Sequence, residues 1–70
     1  MNYTEWANEY LETAERFNDM IIRLTDRRKR TDDFIAKLNM DYNISRYRLS
    51  RDECIKTAQY LFKKAEKQGE

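Results

Sequence analysis

Between residues 21 and 30 stand five cations, Arg23, Arg27, Arg28, Lys29 and Arg30, against the single acid Asp26, and Arg46, Arg48 and Arg51 follow further on. Several cations on one face neutralise phosphates and release their counterions, which is the chemistry of nucleic-acid or acidic-partner binding. If the chain folds back near residue 30, Arg27, Arg28, Lys29, Arg30, Arg46, Arg48 and Arg51 form the candidate contact set. Tyr42 or Tyr47 is then at hand to stack on bases. Against this, the net charge is only +1 and the pI about 7.8. Arginines at the C-terminal end of a helix are also what the macrodipole favours. A solvated, dipole-matched face is the plainer reading, and a nucleic-acid-binding or transcription-regulatory module using segments 23–30 and 46–51 is the alternative.

Catalytic chemistry has less to start from. The sequence has no histidine, no Gly-rich phosphate loop and no nucleophile elbow. Glu5, Glu9 and Glu12 share a helix face, but di-iron bundles add a Glu-x-x-His motif that is missing here, so these read as a solvated acidic first turn. The lone Cys54 excludes an intrachain disulfide framework and a Cys/His zinc site, and reads as a small buried apolar residue. No enzyme activity, cofactor or metal is expected.

The elements that must position these residues are helical. Valine and proline are absent and the one glycine is Gly69, so hairpin-turn and strand signals are lacking and an all-α fold without a β-sheet is expected. Tyr3, Ala7, Tyr10, Ala14, Phe17, Ile21 and Leu24 recur in alternating four- and three-residue steps, a heptad seam that predicts a helix over about 4–29. Asn2 or Thr4 can cap it. Acid-to-base pairs four residues apart, Glu12/Arg16, Asp19/Arg23, Asp26/Arg30, Asp33/Lys37 and Asp52/Lys56, add support at about 0.2–0.5 kcal/mol each. Thr31 is placed to cap a second helix.

Beyond residue 43 the residues support two readings. Ser50-Arg51-Asp52-Glu53 has the form of a capping box, with Leu49 and Cys54 as its staple, which predicts helices over about 32–43 and 51–67 in a small three-helix bundle. Alternatively Met40, Ile44, Tyr47, Cys54, Ala58, Leu61 and Ala65 form one seam broken only by Arg51, which predicts a helical hairpin with a long second arm. The broken arm is preferred, because Ile35, Leu38, Tyr42 and Leu49 lie opposite that seam and a continuous arm would overhang the first helix. A helix-turn-helix over 32–42 and 51–66 is the less favoured form of the first reading, and a ribbon-helix-helix strand over 20–25 is weaker still.

A chain of 70 residues has little to bury. Ordering costs roughly 1.5 kcal/mol per residue, and a single core of this size rarely leaves more than about 3–5 kcal/mol net. A homodimer or a protein partner is therefore expected, with Ile35, Leu38, Tyr42 and Leu49 as the self-association surface. A two-fold antiparallel arrangement would set the acidic stretch 5–19 of one subunit near the basic stretch 23–30 of the other. No run approaches the roughly 20 apolar residues of a membrane span, and no basic-then-apolar leader opens the sequence, so a cytoplasmic location is expected. The overall expectation is a non-enzymatic protein–protein interaction module.

At Tyr3-Thr4-Glu5-Trp6, Glu9-Tyr10-Leu11 and Ala14-Glu15-Arg16, joined by Glu53-Cys54 and Tyr60-Leu61, the chain resembles short uncharacterised helical proteins of bacterial prophages and conjugative elements. The resemblance covers both end segments and leaves 25–50 unmatched. It implies a bacterial cytoplasm and a mobile-element origin, and it brings no catalytic or binding residues.

Overall fold

The computed structural model describes residues 2 to 70, which form two helices, α1 (Tyr3–Lys29) and α2 (Phe34–Lys67), laid antiparallel across the link 30–33. No strand occurs among the described residues. The all-α expectation holds, but the division of the second half into helices over 32–43 and 51–67 does not. Residues 43–50 are helical, and α2 runs through them without a break.

The reason lies in the seam. A capping box is needed only where backbone N–H groups lack intrahelical acceptors, and at Ser50 the seam on either side keeps the helix going, with no Gly or Pro to stop it. Ser50 is a half-buried residue of the helix interior, and Leu49, expected as a staple, points outward. The helix-turn-helix goes with the break. Residues 20–25 lie inside α1, which removes the ribbon-helix-helix reading too.

The overhang that argued for a break is real and accommodated. At 1.5 Å per residue α1 is about 40 Å long and α2 about 51 Å, in a rod 54 Å by 14 Å by 14 Å. Phe17 faces Tyr47, with ring centroids 6.0 Å apart, and Arg28 faces Asp41. The first turn of α2 therefore reaches past the end of α1. At the other end the chain turns back after Lys67 in a Schellman closure: the Gly69 N–H donates to the Glu66 carbonyl and the Glu70 N–H to that of Ala65. Gly69 takes φ +76° there, which an L side chain resists. The Glu70 carboxylate then accepts the Thr4 N–H at 3.3 Å, closing the open end of the hairpin.

The other caps are local. Asn2 Oδ1 accepts the Glu5 N–H at 2.7 Å, as expected for α1. Asp33, not Thr31, caps α2, accepting the Ala36 N–H at 2.9 Å. Thr31 donates its hydroxyl to the Arg27 carbonyl at 2.7 Å and so ties the link to the end of α1.

Both seams meet as the heptads require. Ala7, Ala14 and Ile21 of α1 and Ile44, Ala58, Leu61 and Ala65 of α2 are buried. Tyr3, Tyr10, Phe17, Leu24, Met40, Tyr47 and Cys54 are half-buried at the seam edges. The best-covered region is Ala7, Ala58 and Leu61, under Tyr3, Tyr10, Leu11 and Phe62. Small side chains let two helix backbones approach closely, but they bury little area. Ala7 and Ala58 are wholly covered, while no large side chain among the described residues is. Arg51 occupies a seam position, where its guanidinium donates to Asn18 Oδ1 at 3.0 Å and to Asp52 Oδ1 at 3.2 Å.

Candidate interaction surfaces

One face of α2 is apolar where no part of the chain covers it. Ile35, Leu38, Tyr42 and Leu49 recur at steps of three, four and seven residues, and all four are exposed, at 49–63% of their full area. They lie on the side of α2 away from α1, because the α1-facing seam uses Met40, Ile44, Tyr47 and Cys54. The structure thus brings the whole candidate self-association set onto one stripe. Phe34, exposed at 69%, extends it; sequence reasoning left Phe34 out, although it adjoins Ile35. The stripe has a definite end. Asp52, Lys56, Gln59 and Lys63 continue the same positions along α2 and are polar and exposed.

The basic residues are placed less uniformly. Arg28 is held by both Asp41 oxygens, at 2.6 Å and 3.1 Å, with the two side chains about half covered. Arg30 pairs with Asp26 at 2.9 Å, the one of the five expected helical pairs that closes as an ion pair. Asp33 is used instead as a cap, and Asp52 is taken by Arg51. Arg46 lies over the Tyr42 ring, 5.8 Å from its centroid. Arg28, Arg30, Arg46 and Arg51 therefore have partners within the chain, and Arg51 points to the opposite side from Arg46. Arg27 and Arg30, joined by Arg23, line a shallow groove of about 390 Å³ with Met20, Leu24, Asp26 and Tyr47. Tyr47 also lines the next groove along, beside Arg46 and Asn43. The two basic segments thus adjoin at Tyr47, while Lys29 and Arg48 lie in neither groove. Arg23, outside the candidate set, was legible from its spacing of four and seven residues to Arg27 and Arg30.

At the open end Lys64 sets its ammonium over the rings of Tyr60, at 5.3 Å, and Tyr3, at 5.7 Å. Its pKa is held above the ordinary lysine value, first by the Tyr60 hydroxyl and then by Tyr3. Trp6, exposed at the same end, follows Tyr3 in a stacked pair 6.5 Å apart. Glu5, Glu9 and Glu12 do not converge, and among the described residues no group of three His, Cys, Asp or Glu side chains is arranged to hold a metal ion. Among the same residues no helix is long and apolar enough to cross a membrane.

Compared with protein-family models, with curated proteins and with solved structures, the chain matches none of them.

Proposed function

We propose that this chain is a non-enzymatic interaction module that works by helix–helix contact, in the first place with itself. The observation that carries the reading is the apolar stripe Ile35, Leu38, Tyr42 and Leu49 on the uncovered side of α2. Exposed apolar side chains scattered singly are ordinary, but a contiguous stripe on a small monomer marks an interaction surface. The thin seam supports the same conclusion. A hairpin whose fully covered side chains are alanines buries too little to be secure alone, and a helix contact on the second face of α2 supplies the missing burial.

Sedimentation equilibrium from 1 to 100 µM, concentrations on the order of a weak interface's dissociation constant, tests the reading. A mass rising from the 8.6 kDa monomer toward the dimer is the expected result. A well-folded monomer throughout the range would end it.

The second reading, nucleic-acid binding, rests on the groove where Arg23, Arg27 and Arg30 face Tyr47. It differs in salt dependence: neutralising several phosphates makes affinity fall steeply with salt, whereas an apolar helix contact changes little. A mobility shift with a 20-base single strand at low salt, abolished at 0.2 M salt and by Arg23→Ala with Arg27→Ala, would favour it.

A further inference from the structure

We infer that the outer stripe of α2 receives the same stripe of a second copy, antiparallel, so that α2 and its copy lie in the middle and the two α1 helices outside. The inference rests on the self-association just proposed and adds the face, the orientation and the register. Ile35, Leu38, Tyr42, Ser45 and Leu49 follow a three-four-three-four spacing, a second heptad seam about 21 Å long on the side of α2 that α1 leaves open. A seam of that kind is matched by another helix. A two-fold axis requires the patch to complement itself, and the part from Leu38 to Leu49 does so when read antiparallel about the level of Asn43 and Ile44. Leu38 then meets Leu49 of the second copy, and the large Tyr42 meets the small Ser45, each twice.

The flanking charges agree. In that register Asp41, already held by Arg28, stands within one helical turn of Arg48 of the second copy, and Asn39 within one turn of Arg46, so no like charges are opposed beside the central contacts. A parallel pairing also brings acids to bases near Tyr42, but it runs the two helices side by side into Asp52 against Asp52, Lys56 against Lys56 and Lys63 against Lys63. The antiparallel pairing carries these residues away from one another. The apolar contact then runs from Leu38 to Leu49, and Ile35 at each rim lies level with Asp52 of the second copy. A standard interface takes about 800 Å² from each partner, roughly one-seventh of this chain's 5601 Å² surface. Two heptads offer less, so the dimer belongs at the weak, micromolar end.

Disulfide trapping decides both orientation and register. In a Cys54→Ala background, Leu38→Cys and Leu49→Cys are prepared separately and oxidised alone and mixed, at 50 µM. The mixture is expected to give a crosslinked dimer in at least tenfold excess over either variant alone. Crosslinking of each variant with itself, equal to the mixture, would show a parallel pairing and overturn the inference while leaving self-association standing. Leu38→Glu, checked for unchanged helicity by circular dichroism because the residue is exposed in the hairpin, is expected to weaken dimerisation at least tenfold. A dimer untouched by Leu38→Glu and by Tyr42→Glu would place the interface elsewhere. No dimer in the unmodified chain would remove the underlying reading together with this one.

Discussion

Alanine is the residue on which the closeness of the two helices depends. Ala7 and Ala58 have no exposed surface, and they pack with Leu61 in one buried cluster between the helices. Adding three carbons at such a point overfills the seam, which in packed interiors costs about 1–3 kcal/mol. Ala58→Leu is therefore expected to lower the thermal midpoint by several degrees, even though leucine suits both helix and seam; an unchanged midpoint would mean the helices are not in close contact there. Phe17→Ala is expected to be milder than the roughly 3–5 kcal/mol of a fully buried phenylalanine. Its ring is only half-buried, with Tyr47 beside it. Arg51 presents the opposite case. It places a charge in an otherwise apolar seam, held by Asn18 and Asp52, and partly exposed pairs of this kind add about 0–1 kcal/mol. Arg51→Leu is accordingly expected to raise the midpoint. A polar residue at a seam position also fixes register, so the same variant should give broader amide spectra. A lower midpoint would show that the bonds to Asn18 and Asp52 outweigh the apolar burial that leucine adds.

At the scale of the element, the sign of one substitution separates a helix start from a helix interior. Ser50 inside α2 caps nothing, so Ser50→Ala is expected to be neutral or to stabilise by up to about 0.5 kcal/mol, from helix propensity alone. Loss of about 1 kcal/mol, as for a true cap, would reinstate the break. The first helix was legible almost to the residue, because Tyr3 to Leu24 state their heptad without interruption and Asn2, one of the two caps offered at its start, is the one used. The second was not. Its two apolar seams lie on opposite faces, and two stripes read together look like an indistinct periodicity. The capping-box residues 50–53 then offered a simpler account of Leu49 and Cys54 than a helix with two partners. The candidate stripe was readable for the same reason that the helix was not: Ile35, Leu38, Tyr42 and Leu49 did not fit the seam. What spacing could not show was how far the arginines are already engaged, since the Arg28–Asp41 and Arg51–Asn18 contacts join residues 13 and 33 apart in sequence.

For the molecule as a whole, charge is divided along the rod. Residues 21–50, the half nearest the link, carry eight bases against four acids, whereas 1–20 and 51–70 together carry six bases against nine acids. Dimerisation through the outer stripe brings two positive halves near each other while the Asp41 and Arg48 flanks attract, and salt screens both effects. Self-association is thus expected to vary less than threefold between 0.05 and 0.5 M salt, concentrations that span the range where the Debye length drops below about 10 Å. A tenfold change would show that one of the two electrostatic effects dominates. The contact between Arg28 and Asp41 has a further consequence, in time rather than in stability. Of the side-chain hydrogen bonds that join the two halves it closes the shortest loop, with a separation of 13 residues, while the Thr4–Glu70 bond at the far end spans 66. Short loops close at less entropic cost, and a fold of local contacts searches quickly. The hairpin should therefore zip from the link toward its ends within microseconds to milliseconds. In temperature-jump relaxation Arg28→Ala would slow folding and leave unfolding nearly unchanged, whereas Ala65→Gly would speed unfolding alone. The chain would then always be half-assembled in one order, with the outer stripe of α2 formed before the open end has closed.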